Sequence, residues 1–292
     1  MKLTALIDGD ILTYAVGSFT NPHPFLKDKE GKPLQMPCTT EAIKGFALDE
    51  VNRITDKAAC KQYKLFISGP NNFRNDIAKT HPYKFKRADL DKPYHYQTVK
   101  DFYVNELGAI VTDGIEADDA LAIAQTSETV ICSVDKDLLM VPGMHYNWRR
   151  EEFRTIDYQQ GVANFLYQLL VGDWATDSII GCGHVEEKVY GPKAAKAGQR
   201  YLTRVGIGPK GAYNILENTD PNDWLGLVVA AYQQEFGDNW KVMLNEMANL
   251  LCMGLDANNL WDYDERSTDF GKILGHLVKE SVNKCADNAA EF

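Results

Sequence analysis

The segment TDGIEADDALAIAQ, residues 112–125, is followed shortly by TVICSVDKDLLMV, residues 129–141. The β-branched run over residues 129–134 is typical of a buried parallel strand, and Asp135 falls where that strand should end. Residues 109–112 predict a shorter strand just ahead of the first segment. Together these patterns predict strands of a mostly parallel α/β sheet.

Acidic residues stand at the edges of the apolar segments in this stretch rather than along one polar face. They are Glu116, Asp118, Asp119, Asp135 and Asp137. The first three precede an apolar helix over residues 120–125, so we expect them at a strand-to-helix corner. Ligands of open α/β sheets bind beyond the carboxyl ends of the strands. The acids therefore mark a candidate binding site.

Acids at the start of a helix also have an ordinary structural role. They accept the free N–H groups and favour the positive end of the helix dipole, each contributing roughly 0.3–1 kcal/mol. Capping alone could explain the acids at 116–119. A third strand end favours a site, because residues 3–7 form an apolar run that stops at Asp8-Gly9-Asp10.

Carboxylates that converge on one site need cations to hold them together. Two of them about 4 Å apart repel by roughly 1 kcal/mol in water and more strongly in a cleft. The sequence offers oxygen ligands without a convergent set of histidines or cysteines. This favours Mg²⁺ or Mn²⁺ over zinc.

Length and composition indicate an ordinary globular protein. With 292 residues, 45% of them apolar and 25% charged, the chain can bury a substantial core. No apolar run approaches the roughly 20 residues of a membrane span, and Asp8 interrupts the first apolar run too early for a signal peptide. The six cysteines show no metal-binding spacing. We therefore expect a cytoplasmic protein without membrane contact.

The distribution of charge matters more than its sum. A net charge of −10 argues, at face value, against a polyanionic partner. However, residues 74–92 carry six Lys/Arg against three acids, and residues 184–210 carry six against two. Residues 73–92 also mix bases with aromatic side chains and lack an apolar face. They form either a solvated surface segment or a grip on phosphates, in which Tyr83 or Phe85 stacks on a base.

The remaining segments are assigned from periodicity and turn residues. Helices are expected after Asp8 and over residues 40–59, 96–107 and 161–171, with further helical structure over 224–255; a strand is expected over 64–67. Residues 21–37 are rich in proline and glycine and are expected to form a loop. The sequence GIGPKG, residues 206–211, predicts a tight turn before a helix that has Pro209 in its first turn.

Taken in order, these motifs resemble the 5′-nuclease family: phage 5′→3′ exonucleases, the 5′-nuclease domain of bacterial DNA polymerase I, and flap endonucleases. The matching elements are Asp8, Phe73-Arg74, Tyr83-Lys84-Phe85-Lys86-Arg87, Glu116 to Asp119, Asp135-Lys136-Asp137, Gly172-Asp173 with Asp177, and Gly206 with Gly208. Each element alone is weak evidence, whereas the shared order is specific. The resemblance covers the chain from Asp8 to about Leu216.

The resemblance implies a PIN-like, mostly parallel sheet flanked by helices. The nuclease core would span residues 1–165, with an arch region at about 73–100. A helical C-terminal part would span residues 166–292 and contain a DNA-binding helix–three-turn–helix element at about 200–218. A monomer is expected.

The family's chemistry is hydrolysis of DNA phosphodiesters near a free 5′ end or a 5′ flap, with two divalent ions, Mg²⁺ or Mn²⁺. The resemblance assigns Asp8, Glu116, Asp118 and Asp119 mainly to the first ion, and Asp135, Asp137, Asp173 and Asp177 to the second. Lys84 and Arg87 would be catalytic, holding the scissile phosphate and stabilising developing charge.

The same resemblance predicts the DNA contacts, which are Arg74, Tyr83, Lys86, Gly206, Gly208, Lys210 and Gly211. The glycine turn would bind the duplex backbone through its amides without reading bases, and in relatives it also holds K⁺. Gly208 is expected to need a positive φ angle, which a β-branched residue would not adopt.

This sequence departs from the family pattern in three places. The aspartate usual after the second strand is missing, because residues 67–69 read Ile-Ser-Gly. Asp177 lies one residue farther from Asp173 than is usual. About 25 residues, 182–205, are inserted before the glycine turn, and they form either an extra basic DNA contact or a purely structural excursion.

Two other readings compete with the nuclease. A haloacid-dehalogenase-like phosphatase would use Asp8 as a covalent nucleophile and Asp10 as its acid/base partner, and the Asp173 to Asp177 spacing fits it. That reading leaves the acids at 116–119 and 135–137 without a role. A non-catalytic DNA-binding module would not need so many carboxylates, which repel a phosphate backbone.

Overall fold

The computed structural model describes residues 3–87 and 90–277. The strands are β1 (Thr4–Asp8), β2 (Thr20–Lys27), β3 (Pro33–Pro37), β4 (Gln62–Ile67), β5 (Ile110–Val111), β6 (Thr129–Cys132), β7 (Gly143–Asn147), β8 (Glu152–Ile156), β9 (Gly183–Val189) and β10 (Arg200–Gly206). The helices are α1 (Gly9–Gly17), α2 (Thr40–Lys57), α3 (Arg74–Ile77), α4 (Tyr96–Asn105), α5 (Ala117–Ala124), α6 (Tyr158–Val171), α7 (Pro209–Leu216), α8 (Trp224–Phe236), α9 (Trp240–Leu251) and α10 (Tyr263–Arg266).

The described chain divides into two compact units. The first contains the residues up to Asn72 and Asp91–Ile156, and the second contains Phe73–Leu90 and the chain from Asp157 onwards. The division thus falls at 156/157, whereas the sequence suggested 165/166. The first part of the expected arch region groups with the second unit. Residues 88–89 of that region and residues 278–292 of the expected C-terminal part lie outside the described residues.

The first unit is built on a six-stranded sheet with the order β5-β4-β1-β6-β7-β8. All neighbouring pairs are parallel except β7 and β8, which are antiparallel. The mixed, mostly parallel α/β fold expected from the sequence is therefore confirmed. The chain winds from β1 through β4 to β5 and then crosses back to β6. The strand order reverses between β1 and β6, which is where open α/β folds bind ligands.

The central strands of this sheet are fully buried because their sequences are almost wholly apolar. Every residue of β1 is buried, and three of the four residues of β6 are. Alternate residues of β1 point to opposite faces. Ala5 and Ile7 join the core formed with α1, α2 and α4, whereas α5 packs against β1 and β4.

Helix α2 begins at a threonine N-cap. The side chain of Thr39 accepts a hydrogen bond from the Ala42 amide, which makes Thr39 the N-cap. Ile43, Ala47, Val51 and Ile54 recur at helical spacing and are fully buried. These four residues form the apolar stripe of α2 that faces the core, whereas Phe46, which has the same helical spacing, is 39% exposed.

Gly9 allows α1 to begin directly against β4. A Cβ atom at this position would lie 2.4 Å from the Phe66 carbonyl oxygen and 2.8 Å from Cγ1 of Ile67. We expect Gly9→Ala to lower the free energy of unfolding by roughly 1–3 kcal/mol, because backbone must shift to admit the methyl group. Chemical denaturation measures this loss.

Gly45→Ala is the matched control for that substitution. Gly45 lies inside α2, and a Cβ atom there would meet no atom within 4 Å. Alanine should stabilise this helix by roughly 0.5–1 kcal/mol. Equal effects of the two substitutions would show that the close approach at Gly9 does not limit stability.

The second unit has a helical core. Helix α6 packs against α7, α8 and α9, and α8 packs against α9. The Tyr232 hydroxyl of α8 donates to the Leu169 carbonyl of α6 over 2.7 Å. The helical structure expected over residues 224–255 is confirmed by α8 and α9.

Two segments differ from expectation. Residues 21–37, expected to form a loop, contain the antiparallel pair β2 and β3. The inserted residues 182–205 contain most of a second antiparallel pair, β9 and β10, between α6 and α7. The expected helix directly before Gly206 is therefore a strand, and the helix that packs on α7 is α6. Both hairpins are mostly exposed. Because neither side of these strands has to be buried, their sequences lack the apolar–polar alternation by which a strand is recognised.

No helix in the described parts of the chain combines the length and the apolar character that crossing a membrane requires.

Candidate metal and nucleic-acid sites

Asp8 ends β1 at the point where the strand order reverses. It is only 1% exposed, and it is the N-cap of α1, with Oδ1 accepting the Ile11 amide over 3.1 Å. Its Oδ2 accepts the Ser133 hydroxyl over 2.7 Å. Ser133 directly follows β6, so this bond joins the ends of the two central strands. The ends of β1 and β6, which carry the candidate ligands Asp8 and Asp135, therefore lie side by side.

The charge of Asp8 is held in an unfavourable environment. Burial raises the pKa of this carboxyl to about 7, and the nearby carboxylates of Asp10 and Asp135 also raise it. The hydrogen bonds from Ser133 and Ile11 lower the pKa but do not offset burial. No lysine or arginine in the described part of the chain forms an ion pair with Asp8. A cation beside Asp8 would therefore be strongly favoured.

Asp10 lies over the end of β4, where the family's aspartate is missing from the sequence. Its two carboxylate oxygens are 3.1 and 3.2 Å from the Ser68 amide nitrogen. The Ser68 hydroxyl accepts the Ala117 amide at the start of α5, and Lys100 donates to the Ser68 carbonyl. An acid is thus present at this strand end, but it comes from the first turn of α1.

The acids before and within α5 begin the helix in a capping box. The Asp119 carboxylate accepts the Glu116 amide over 3.2 Å, and Asp119 is fully buried. Asp118 is partly exposed in the same first turn. Glu116 and Asp119 therefore do have the helix-capping role that the sequence suggested. It does not exclude ligation, because each carboxylate has two oxygens.

Asp135 and Asp137 follow the strand end marked by Ser133. The Asp135 amide donates to the Ser133 hydroxyl, and the Asp137 amide donates to Oδ1 of Asp135 over 2.9 Å. Lys136 pairs with Asp137 over 2.8 Å. A cleft of about 200 Å³ opens beside Asp135, and Arg150 and Arg154 lie on its wall. The cleft therefore has a negatively charged side chain, Asp135, and two positively charged ones, Arg150 and Arg154, on its walls.

The six predicted ligands of the first unit fit a hard divalent cation in chemistry and in charge. They are all carboxylates, and one of them is a buried acid without a cation partner. Among the residues that the structure describes, no three His, Cys, Asp or Glu side chains are grouped closely enough to hold a metal ion. The acids reach the same sheet edge, and their closure around an ion stays a prediction.

The two remaining predicted ligands, Asp173 and Asp177, belong to the second unit. Asp173 follows Gly172, the residue that ends α6 with a φ of 68°, and its carboxylate accepts the Thr176 amide. Asp177 accepts the Tyr83 hydroxyl over 3.3 Å and forms ion pairs with Arg87 and, over 3.8 Å, with Lys84. Lys84 and Arg87, the positively charged residues predicted to be catalytic, therefore both contact a residue predicted to be a metal ligand.

Lys86 packs on Trp174, which follows Asp173. Its Nζ lies 3.9 Å from the centre of the Trp174 ring and donates to the Trp174 carbonyl over 2.6 Å. Burial lowers the pKa of Lys86, and the charge of Asp173 raises it. His81 and Phe85 also contact the Trp174 ring edge-on. Lys86 is therefore a partly buried cation that orders this segment.

Arg74 has a structural role, which corrects its assignment as a DNA contact. It is 1% exposed, and its guanidinium donates to the backbone carbonyls of Leu250 and Cys252. A buried arginine whose donors are engaged by carbonyls at the end of α9 cannot present its charge to a phosphate. Phe73 is buried beside it, so the start of this segment is core rather than surface.

The glycine turn before α7 has its positive φ at Gly206, not at Gly208. Gly206 has a φ of 149°, and a Cβ atom there would lie 2.5 Å from the Cys182 carbonyl oxygen. Gly208 is the N-cap of α7 with a φ of −91°, so the expectation of a positive φ there is wrong. No atom lies within 4 Å of a Cβ built at Gly208, and Lys210 and Gly211 are exposed. The backbone of this turn is accessible.

Sequence reasoning missed Ser133, Ser68, Lys100 and Trp174. Ser133 carried a signal, because it is the polar residue that interrupts the apolar run before Asp135. Ser68 and Lys100 carried none, since their contacts join residues far apart in the sequence.

Comparison with known proteins shows a likeness of fold. The chain is similar in structure to the T5 D15 protein, as seen in a crystal structure of that protein co-crystallised with metal ions. The TM-score is 0.50, and the sequences are 12% identical over 99% of both chains. No protein-family model and no curated protein matches the sequence. At this identity the likeness establishes a shared α/β architecture.

Proposed function

We propose that this protein is a divalent-metal-dependent nuclease that hydrolyses DNA phosphodiesters near 5′ ends, as a 5′→3′ exonuclease or a 5′-flap endonuclease. The observation that carries the proposal is the placement of Asp8. It is a buried carboxylate at the reversal point of a parallel sheet, and acids follow the neighbouring strand ends. The motif order from Asp8 to Gly208 supports the same assignment, as does the fold shared with a protein co-crystallised with metal ions.

Two Mg²⁺ or Mn²⁺ ions are the proposed cofactors. Asp8, Glu116, Asp118 and Asp119 would hold mainly one ion; Asp135, Asp137, Asp173 and Asp177 would serve the other. When bound, such ions polarise the phosphate and activate water for in-line attack. The protein's own contribution here is orientation: Ser133 holds the Asp8 carboxylate through its hydroxyl and the Asp135 backbone through its oxygen.

Basic residues of the second unit are proposed to bind the nucleic acid. Lys84 and Arg87 would contact the scissile phosphate, where fixed positive charge stabilises the transition state more than the ground state. Tyr83 and Lys86 would hold the neighbouring strand. The exposed amides around Gly208, Lys210 and Gly211 would bind the duplex backbone, and the family's K⁺ would bind at this turn.

One assay separates the candidate functions. A 5′-labelled duplex and a 5′-flap substrate with Mg²⁺ should release short 5′ products, and EDTA should stop the release. Hydrolysis of a small phosphate monoester without DNA cleavage would move the assignment to the phosphatase. DNA binding without hydrolysis of either substrate would identify a binding module.

We expect Asp10 to take the place of the aspartate that the family usually has after the second strand of the sheet, here β4. Asp10→Asn should lower activity at limiting Mg²⁺ by roughly 10–100-fold, the usual cost of losing a group that supports a metal ligand. High Mg²⁺ should restore part of that loss. The measurement is a Mg²⁺ titration of the single-turnover rate, with Asp49→Asn, an exposed acid of α2, as the control. An unchanged Mg²⁺ requirement would assign Asp10 to capping Ser68 alone.

A further inference from the structure

The hairpin of β9 and β10 projects from the base of the proposed duplex-binding turn. Its ladder has seven residue pairs, from Gly183↔Gly206 at the base to Val189↔Arg200. The six residue steps along each strand, at roughly 3.4 Å each, make the arm about 20 Å long. Strand β10 runs directly into Gly206 and then into α7. The hairpin and the turn are therefore one continuous structure within the second unit.

The base of the hairpin is firmly anchored. Arg204 donates to the carbonyls of Leu170 and Cys182, each over 2.9 Å, and His184 contacts Glu235 of α8 over 2.6 Å. The glycines at 183 and 206 lie face to face, and a Cβ atom on either would clash with backbone. A fixed base gives the far end a defined direction from the turn.

The far half of the hairpin is basic. Residues 188–200 contain four Lys/Arg and no acid, in a protein whose net charge is −10. Lys193 and Lys196 lie in the exposed connection between the strands, and neither forms an ion pair with any residue that the structure describes. Lys188 and Arg200 pair with Glu186 and Glu187. Such exposed pairs contribute little and exchange readily with phosphate.

A stacked aromatic pair stiffens this basic end. Tyr190 and Tyr201 have ring centroids 4.3 Å apart at an interplanar angle of 29°. Tyr201 lies opposite Lys188 in the ladder, so Tyr201 and Lys188 share one face. The backbone of Tyr190 bonds to Gln199 and Gly198, which continues the pairing beyond the last ladder pair. The lysines of the connection are thus carried on an ordered support.

We infer that the β9–β10 hairpin is a second contact for the backbone of duplex DNA, reached by Lys193 and Lys196. This inference rests on the proposed function and extends its DNA-binding surface. At roughly 3.4 Å per base pair, an arm of about 20 Å reaches phosphates roughly six base pairs beyond those held at the glycine turn. The contact is to phosphates, so it carries no sequence preference.

The test measures binding of 5′-flap DNA to the full-length protein in Ca²⁺, with downstream duplexes of about 8 and 20 base pairs. Lys193→Ala/Lys196→Ala should weaken binding of the long duplex roughly tenfold and reduce the salt slope of log K by about 1.8, or 0.9 per lost contact. Binding of the short duplex should change little. The control is Lys61→Ala/Lys64→Ala, at the amino-terminal end of β4.

A second variant replaces residues 190–199 by a two-residue Asn-Gly turn and should show the same length-dependent loss. Circular dichroism and thermal unfolding would establish that it folds. Wild-type affinity and salt slope in both variants would overturn the inference, and the exposed Val189 and Leu202 would then point to a protein partner. Length-dependent binding without cleavage would refute the nuclease but leave the hairpin contact standing. Cleavage of DNA by wild type, together with unchanged DNA binding in both hairpin variants, would support the nuclease and refute the hairpin contact.

Discussion

Asp8→Asn should abolish DNA hydrolysis and also stabilise the metal-free protein. The loss of turnover should reach at least about 10³-fold, because the several kcal/mol of charge stabilisation that divalent ions supply depends on their ligands. The gain in stability has a separate cause. Asparagine keeps an oxygen that can accept the Ile11 amide, its side-chain NH2 group can donate to the Ser133 oxygen, and it carries no charge to bury.

The direction of the pH dependence follows from the raised pKa. The Asp8 carboxyl titrates at about 7 in the folded protein and near 3.8 when exposed. Between these values the folded state keeps a proton that the unfolded state has lost. The resulting stability is fully present below about pH 4 and is lost as the pH rises to about 7. At pH 8 the buried charge should cost on the order of a few kcal/mol.

Thermal unfolding in EDTA at pH 5 and pH 8 measures this effect. Asp8→Asn should unfold at a higher temperature than wild type at pH 8, with a smaller difference at pH 5. Added Mg²⁺ should stabilise wild type more than the variant, because ions that bind only the folded state raise its stability. Asp49→Asn, on the exposed side of α2, should behave as wild type. A variant that unfolds at a lower temperature at pH 8 would contradict the burial argument.

Lys84→Ala and Arg87→Ala should each lower turnover by roughly 10²–10³-fold, the usual cost of removing one group that stabilises transition-state charge. Both side chains lie against Asp177 in the second unit, and Lys84 is 23% exposed. Lys84 also has a φ of 56°, an uncommon backbone conformation for a residue with a Cβ atom. Lys84→Gly relieves any strain there and removes the same charge. Equal losses with alanine and glycine would assign the effect to the ammonium group.

Asp177 decides how these cations are held. If its main task is to place Lys84 and Arg87, Asp177→Asn combined with Lys84→Ala should be little worse than Lys84→Ala alone, since the two residues act as one unit. Single-turnover rates in Mg²⁺ for wild type, both single variants and the double variant complete the cycle. Additive losses would show that Asp177 acts independently of Lys84, as a metal ligand would. Asp173→Asn, which alters a carboxylate that accepts the Thr176 amide, is the comparison.

Sequence by itself determined four strands of the central sheet (β1, β4, β5 and β6), the main helices and the acids at the strand ends. Residues 3–7 and 129–134 are apolar runs because β1 and β6 are covered on both faces, and burial on both faces leaves a continuous apolar signal. Each run stops at an aspartate, so the strand ends and the candidate ligands could be read together. Helix α2 was also predicted from its apolar periodicity, and the structure decides that Thr39 rather than Thr40 is its N-cap.

Tertiary structure alone decided which polar groups meet. The two hairpins escaped detection because exposed strands need no apolar alternation. Arg74 reads as a free base in a basic segment, yet carbonyls 176 and 178 residues away enclose its guanidinium. Asp10 reaches the β4 end through Ser68, 58 residues away. Such contacts depend on how distant backbone segments pack, and hydrogen-bonding partners at that separation leave no periodic pattern in the chain.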